Sequence, residues 1–292
     1  MALRVGVVGA GSMAEAHVPA WRELGAALSI HSLRPPTELA MRHGVQVSPS
    51  LEALVATWDL LDVCSPTPTH EVIARTALDA GRHVVCEKPL ARTARAARSL
   101  ADTAAAHGVV LFPAHVVRYF PAYRDLEQRV RAGEVGTVRT VQLTRQVAAP
   151  RQGWFHDRER SGGVVLDLMV HDLDQALWLL GPVEAVRAEA LDADGDWVRA
   201  ELSHAGGAVS TVEARWGPPE PGFATSATLT GTLGTLQHSA TDVPSGPDDP
   251  YLLQLRDVVD HLATGAPTRV GAADGVAAVA LAEQVLDALR GS

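Results

Sequence analysis

A glycine-rich turn directly after the first apolar segment most constrains what this chain can fold into. Residues 9–14 read Gly-Ala-Gly-Ser-Met-Ala, follow the apolar run at 3–8 and open a helical pattern. The first glycine permits a tight turn, the second lets the backbone approach a pyrophosphate, and the alanine keeps the helix close to the strand. N–H groups at the start of that helix attract phosphate. In this strand–turn–helix context the motif predicts a dinucleotide site containing Gly9, Gly11, Ser12 and Met13.

Strand and helix patterns alternate through the first 118 residues. Strand patterns occur at 3–8, 28–32, 45–47, 60–64, 83–86 and 109–113. Helical patterns occur at 13–24, 37–43, 69–80 and 93–107. Gly44, Gly81 and Gly108 stand at helix ends, where glycine is common. Repeated strand–helix units with short links predict an α/β domain with a doubly wound parallel sheet over residues 1–118.

The rhythm changes beyond residue 118. A helical pattern at 121–132 is followed by a strand pattern at 138–147, a polar loop at 148–163 and an apolar helix at 164–180. Further strand patterns lie at 183–191, 196–204, 208–216, 224–230 and 234–238, and helical patterns at 251–264 and 271–289. Consecutive strands without intervening helices predict an α+β domain over residues 119–292 with a mostly antiparallel open sheet.

The composition of the chain argues against several kinds of protein and partner. The chain has 292 residues, 47% hydrophobic residues and a formal net charge of −9. An acidic balance argues against a nucleic-acid partner, which usually meets a basic face. Two cysteines, Cys64 and Cys86, cannot form a disulfide framework and are interpreted as reduced core thiols. No apolar run approaches the roughly 18 residues of a membrane span, and the early first strand leaves no room for a signal peptide. We therefore expect a cytoplasmic protein that does not bind membranes.

The end of the second strand bears on the choice of cofactor. An acidic residue about 20 residues beyond the glycine turn usually binds the adenosine ribose of NAD. The strand here runs into Ser32 and Arg34 without an acid. Because arginine clamps phosphate through two hydrogen bonds, this segment favours NADP over NAD. The alternative is that Arg34 covers the adenine or points into solvent.

The loop after the fourth strand supplies further cofactor candidates. It contains Ser65, Thr67 and His70 between stiffening prolines. Ser65 and Thr67 are placed to touch the nicotinamide ribose. His70 enters a helix, which favours a structural role, but it stays a candidate.

Glu87-Lys88-Pro89 follows the apolar run at 83–86. In an open parallel sheet, ligands bind beyond the carboxyl ends of the strands. A lysine leaving a strand at this edge can reach a cofactor held by the glycine turn, so Lys88 is a candidate for proton transfer and Glu87 for cofactor contact. The alternative for Lys88 is a surface lysine in a loop.

The apolar helix at 164–180 carries a polar stripe. Asp167, His171 and Asp174 are spaced i, i+4 and i+7, and therefore share one face. Buried polar groups are costly unless they are satisfied, so the stripe forms an internal hydrogen-bond network or faces a ligand cavity. Asp172 lies off the stripe and is interpreted as structural. An aspartate–histidine pair also suits a metal, but no third ligand accompanies it with convincing spacing, and no metal site is predicted.

Taken together, these segments resemble the Gfo/Idh/MocA family, named for glucose–fructose oxidoreductase and inositol dehydrogenase. The resemblance spans nearly the whole chain and is carried by the glycine turn, residues 68–70, residues 80–90, and the Gly162-Gly163 pair leading to Asp167 and His171. Glu-Lys-Pro is its most specific part. The resemblance implies a Rossmann domain followed by a mixed domain whose open sheet commonly forms the subunit interface, and hence a homodimer or homotetramer.

The resemblance also implies an activity and site residues. It implies NAD(P)-dependent hydride transfer on sugars, cyclitols or related polyols, with Lys88, Asp167 and His171 as the catalytic set. His115 and Arg118 match a segment that borders the substrate site. Trp154 and Arg158 fall in a loop that often closes over substrate, and the alternative is a solvated loop.

Two other functions remain open at this point. Related folds cleave glycosides by transient oxidation with a tightly bound NAD. A non-catalytic sensor that binds nucleotide is the second alternative, although such a sensor has no need of Lys88, Asp167 and His171 together.

Overall fold

The computed structural model describes residues 2–151, 153–220 and 222–291. Contacts within the chain divide it into two compact units. The first unit contains Met1–Tyr119 and Gly246–Val276, and the second contains Phe120–Ser245 and Ala277–Ser292. The sequence predicted that everything beyond residue 118 belongs to the second domain, whereas residues 246–276 belong to the first unit.

A parallel sheet forms the centre of the first unit. Its strands are β1 (Arg4–Val8), β2 (Ala27–His31), β3 (Gln46–Val47), β4 (Leu60–Val63), β5 (His83–Glu87) and β6 (Leu111–Ala114). They lie in the order β3-β2-β1-β4-β5-β6, and every neighbouring pair is parallel. The order reverses next to β1, as in a doubly wound fold, and the predicted fold class is confirmed.

Helices connect these strands. They are α1 (Ser12–Glu23), α2 (Thr37–His43), α3 (Leu51–Thr57), α4 (His70–Asp79) and α5 (Ala94–His107). The sequence patterns did not include α3, a seven-residue helix whose Ser50 hydroxyl caps it by accepting from the Ala53 amide at 3.2 Å. Two short 3-10 turns, Thr67–Thr69 and Val116–Tyr119, follow β4 and β6.

Residues 246–276 join the first unit because α10 (Pro250–Thr264) buries an apolar face there. Leu252, Leu255 and Val258 lie in the same buried cluster as Val7 of β1 and Trp21 of α1. The sequence pattern shows that this helix has an apolar face, but it does not show which sheet covers that face. Helix α11 (Ala272–Gly291) follows.

The second unit is built on a mostly antiparallel sheet. Its strands are β7 (Val138–Ala148), β8 (Val183–Ala190), β9 (Trp197–His204), β10 (Val209–Gly217), β11 (Phe223–Gly231) and β12 (Thr235–Ala240). The order is β12-β11-β7-β10-β9-β8; β7 and β10 pair in parallel and the other neighbours pair antiparallel. This sheet, too, matches the predicted class.

One face of this sheet is covered by helix. Val141 and Leu143 of β7 and Val212 of β10 are fully buried, and α9 (Val170–Leu180) packs against both strands. Helix α6 (Pro121–Arg131) precedes β7. The segment predicted as a polar loop contains two four-residue helices, α7 (Gly153–His156) and α8 (Arg158–Ser161).

Candidate active site

The glycine turn has the geometry that a dinucleotide needs. Gly9 has a φ of +116°, and a Cβ at this position would lie 2.6 Å from the Cys64 carbonyl oxygen. At Gly11, by contrast, no heavy atom of the described residues lies within 4 Å of the Cβ position. Gly11 caps α1 without a side-chain hydrogen bond, and Ser12 and Met13 form the first turn. A tight turn, open space and an uncapped helix start fit a pyrophosphate.

The segment after β2 lies at the same carboxyl edge. Gly9 donates its N–H to the carbonyl of His31, the last residue of β2, at 2.9 Å. Ser32 is half-buried and Arg34 is exposed. Their contact with an adenosine phosphate stays a prediction.

The loop after β4 is tied to the Lys88–Pro89 turn. His70 is buried, with Nε2 2.8 Å from the Ser65 carbonyl oxygen and Nδ1 2.8 Å from that of Pro89. The Ser65 hydroxyl lies 2.7 Å from that of Thr69. Thr67 is buried. His70 therefore joins two segments that follow neighbouring strands, which is the structural role that the sequence favoured.

Lys88 leaves β5 at this edge and is partly exposed. Its peptide bond to Pro89 is cis. Its backbone N–H donates to Oε2 of Glu87 at 3.2 Å, and the Glu87 side chain is buried. The structure thus gathers the glycine turn, Ser65 and Lys88 around the carboxyl ends of β1, β4 and β5.

A buried polar cluster next to these strands was missed by sequence reasoning. It consists of His17, Trp21, Asp62, Cys64, Glu87 and Gln254, all of them buried. Nδ1 of His17 lies 2.9 Å from Oδ2 of Asp62, which also accepts from the Trp21 indole N–H at 2.7 Å. Nε2 of His17 lies 3.1 Å from Oε1 of Glu87. An aspartate in the middle of the apolar strand Leu-Leu-Asp-Val was the available signal.

Protonation states follow from this packing. Burial acts to lower the pKa of His17, but the Asp62 carboxylate and Cys64 outweigh it and raise the pKa well above the ordinary 6.5. Burial raises the pKa of the Cys64 thiol to about 12. His17, Asp62 and Cys64 offer ligand atoms within 4.8 Å of one another. Because the thiol keeps its proton and the imidazole donates to Asp62, we interpret this cluster as a hydrogen-bond network.

The second unit presents Asp167 and His171. Asp167 lies in a π-helical turn, Val165–Met169, and His171 lies in the first turn of α9. Within residues 161–176, these two are the residues that are not buried. Single π turns are frequent at functional sites. The predicted polar stripe therefore reaches the surface at two of its three positions.

Asp172, which does not share the face of Asp167 and His171, is bound inside the second unit. It is fully buried and accepts two hydrogen bonds of 2.8 Å from Arg145 of β7. This bidentate pair joins α9 to the sheet. The structural interpretation of Asp172 agrees with this geometry.

The remaining predicted substrate residues lie in contrasting surroundings. His115 is buried, and so is Arg118, which donates to the Arg269 carbonyl at 3.2 Å and to Asp274 at 3.0 Å. In the second unit, Trp154 stacks on Phe155 at 3.9 Å. The exposed Arg158 donates to Asp196 at 3.3 Å.

Two family models match these units. Residues 3–115 match the oxidoreductase family with an NAD-binding Rossmann fold, and residues 123–237 match the Gfo/Idh/MocA C-terminal domain. The chain belongs to the Gfo/Idh/MocA family. It is therefore an oxidoreductase of an NAD-binding family, and the resemblance seen in the sequence is confirmed.

Similar proteins cover almost the whole length. The UDP-N-acetylglucosamine 3-dehydrogenase of Acidithiobacillus ferrooxidans is 29% identical over 94% of this chain and 92% of its own. The rhizopine catabolism protein MocA of Rhizobium meliloti is 28% identical over 98% and 95%. GenD2 from gentamicin A biosynthesis, solved in complex with NAD, has a TM-score of 0.88 and 27% identity, covering 99% of this chain and 94% of GenD2.

Among the described residues of this Gfo/Idh/MocA protein, none of the helices is long and apolar enough to cross a membrane.

Proposed function

We propose that this protein transfers hydride between a nicotinamide cofactor and a hydroxyl- or carbonyl-bearing carbon of a sugar, cyclitol or related polyol. The family supports the reaction class. The names of its relatives support the substrate class, and they include a D-glucoside 3-dehydrogenase of Escherichia coli that is 33% identical over 66% of this chain and 59% of its own.

One observation carries the assignment of Lys88. It is the sole lysine among 292 residues, and the other 24 basic residues counted with it are arginines. A guanidinium stays protonated in proteins, whereas an ammonium is a compact charge that can release its proton. A chain that otherwise uses arginine for positive charge has its one ammonium at the carboxyl edge of the nucleotide-binding sheet. This supports a specific role of the ammonium group, rather than surface charge, at position 88.

The catalytic roles follow from the chemistry of the three side chains. The bound cofactor supplies the hydride chemistry, and the protein supplies orientation and electrostatics. His171 exchanges the proton of the substrate hydroxyl. Lys88 holds the same oxygen and stabilises the charge that develops there. Asp167 positions a neighbouring hydroxyl or orients His171.

The surrounding residues bind the two ligands. We assign cofactor contacts to Gly9, Gly11, Ser12, Met13, Ser65, Thr67 and Glu87, and substrate contacts to His115, Arg118, Trp154 and Arg158. His70, the other cofactor candidate, keeps the structural role, because both of its ring nitrogens lie 2.8 Å from backbone carbonyl oxygens. Ser32 and Arg34 support a preference for NADP over NAD, because Arg34 is exposed beyond β2 and the segment that follows this strand, residues 32–36, contains no acid.

Assembly and location are further parts of this proposal. We expect a homodimer or homotetramer that uses the second sheet. Its uncovered face shows Gln142 and Thr144 of β7, and it carries an ion pair between Arg199 and Glu213 at 3.1 Å. A cytoplasmic location, with neither nucleic acid nor membrane as partner, stays a prediction from the sequence.

A cofactor-linked absorbance screen tests the proposal. Sugars, cyclitols, sugar acids and small ketones are offered with NAD, NADP and their reduced forms, and net change of the nicotinamide is followed. We expect turnover with at least one sugar or cyclitol. Release of sugar from a glycoside without net cofactor turnover indicates the redox glycosidase, and cofactor binding without any turnover indicates the sensor.

A further inference from the structure

His17 lies where the glycine-turn helix meets the strands that carry the site. It is the sixth residue of α1, and its side chain is fully buried. Its Nδ1 is held by Asp62 of β4 at 2.9 Å. Asp62 in turn accepts from Trp21 at 2.7 Å and from the Cys64 thiol at 3.5 Å. The imidazole is therefore held on this side by Asp62, whose carboxylate is held in turn by Trp21 and Cys64.

The other ring nitrogen faces Glu87. Nε2 lies 3.2 Å from the amide nitrogen of Gln254 and 3.1 Å from Oε1 of Glu87, which is an ion-pair distance rather than an aligned hydrogen bond, since that oxygen has no hydrogen-bond partner among the described residues. The amide oxygen of Gln254 has no hydrogen-bond partner among the described residues. Turning that amide over places the oxygen against Nε2, where it accepts from an N–H. Both sides of the ring then suit a doubly protonated imidazolium.

The charges around the ring also favour an imidazolium at His17. Asp62 and Glu87 are both buried, and a buried carboxylate without a counter-charge is costly. An imidazolium between them supplies positive charge to both. Removing the imidazolium, for example by replacing His17, takes this charge away and leaves the Glu87 side chain free to turn away from its present position.

The position of Glu87 determines that of Lys88. Oε2 of Glu87 accepts the Lys88 backbone N–H at 3.2 Å, and one residue beyond Lys88 the carbonyl of Pro89 lies 2.8 Å from Nδ1 of His70. Glu87 thus holds the Lys88 N–H, and His70 holds the carbonyl of Pro89, the residue after Lys88.

We propose that His17 is a positioning residue that fixes Glu87 and, through it, the backbone of Lys88. It also links α1, which starts at the glycine turn, to the residue that acts on the substrate oxygen. This inference rests on the proposed function for its catalytic consequence, but its structural part is tested without substrate.

The single lysine permits a direct measurement. Reductive methylation with ¹³C labels only the Lys88 amine and the chain's N-terminal amine. We compare the Lys88 methyl signal in the wild type, His17→Gln, Glu87→Gln and the double variant. Both single changes are expected to shift or broaden the signal. The double variant is expected to match Glu87→Gln, because the effect of His17 passes through Glu87.

The matched control is His204→Gln. His204 is a buried histidine of the second unit that contacts the Gly181 carbonyl and Ser210, each at 2.9 Å. Its replacement is expected to leave the Lys88 signal unchanged. An unchanged Lys88 signal in folded His17→Gln overturns the proposal, and so do additive shifts in the double variant.

A wild-type measurement covers the case in which His17→Gln does not fold. Nitrogen-15 spectra of the histidine side chains, with the His17 signals assigned, are expected to show both N–H groups on the His17 ring, and these signals change in Glu87→Gln. Spectra in which no such ring responds to Glu87→Gln overturn the proposal.

Kinetics separate the two proposals. Once a substrate is known, His17→Gln is expected to lower kcat by about 10- to 100-fold and to leave KM within about twofold, because small misplacements of catalytic groups cost rates of this order. Failure of every substrate counts against the proposed function, whereas an unresponsive Lys88 signal counts against the role of His17.

Discussion

Nε2 of His17 lies 3.1 Å from Oε1 of Glu87, the residue immediately before Lys88. This contact joins the helix of the cofactor turn to the strand that ends at the lysine. It also places an imidazole whose pKa is raised well above its ordinary value inside the core of the first unit, and the stability of the protein should therefore depend on pH.

We predict that His17 contributes stability that is lost on the alkaline side. Its folded-state pKa is raised, because the Asp62 carboxylate and Cys64 outweigh the opposing effect of burial. The contribution is complete below the unfolded pKa of about 6.5 and falls as pH rises toward the folded value. In that window the free energy of unfolding should decrease by up to about 1.4 kcal/mol per pH unit.

Urea unfolding of wild type and His17→Gln from pH 6 to pH 9 measures this difference. The stability gap between the two proteins should narrow as pH rises. A gap that is constant over this range, or one that widens, contradicts a raised pKa for His17.

The two glycines of the turn should respond differently to alanine. Gly9→Ala places a Cβ 2.6 Å from the Cys64 carbonyl at a positive φ, so we expect a destabilised protein. Gly11→Ala meets no heavy atom of the described residues within 4 Å, so its melting temperature should stay close to wild type. Its nicotinamide affinity should nevertheless fall, because the added methyl occupies the approach of the pyrophosphate. Calorimetry with and without cofactor separates the two effects. Equal cofactor affinity of Gly11→Ala and wild type would place the pyrophosphate elsewhere.

Breaking the buried Arg145–Asp172 pair by removing one partner should destabilise the second unit more than removing both partners. Arg145→Leu leaves the Asp172 carboxylate buried without its two 2.8 Å donors, and we expect a loss of about 3–5 kcal/mol. Replacing both residues with leucine should cost less than the single change. Denaturant titrations of the three proteins check this, and a double variant less stable than Arg145→Leu contradicts it.

Arg34 should determine the choice between the two cofactors. Hydrogen bonds to charged groups contribute about 1.5–3 kcal/mol, so Arg34→Ala should weaken NADPH binding by about 10- to 100-fold. Binding of NADH should change little, since it lacks the 2′-phosphate. Fluorescence titration of both reduced cofactors with wild type and variant measures this. Tighter binding of NADH than NADPH by the wild type would overturn the predicted preference.

The fold could largely be predicted because its signals are local. Each strand–helix unit of the first sheet is a short pattern, and the glycine turn marks where the first unit begins. Helix α3 was missed, although α2, which also has seven residues, was predicted. The membership of α10 was missed because an amphipathic pattern does not identify the partner that covers it.

The candidate site could be predicted only in part. Lys88, Asp167 and His171 stand in recognisable local motifs. The partners of His17 do not, since Asp62 is 45 residues away and Gln254 is 237 residues away. Such a cluster depends on strand register and helix docking, which a single sequence does not specify. Asp62 in an apolar strand was a warning that a buried partner must exist.

The most direct measurement compares turnover by wild type and Lys88→Arg, at saturating cofactor, with the best substrate from the screen. Arginine keeps the positive charge, but its planar guanidinium does not reproduce the compact ammonium that holds the substrate oxygen. We predict nicotinamide-linked turnover by the wild type and a loss of about 10²- to 10³-fold in the variant, with cofactor affinity nearly unchanged. Turnover by Lys88→Arg within a few-fold of wild type would contradict the assignment of the sole lysine to catalysis.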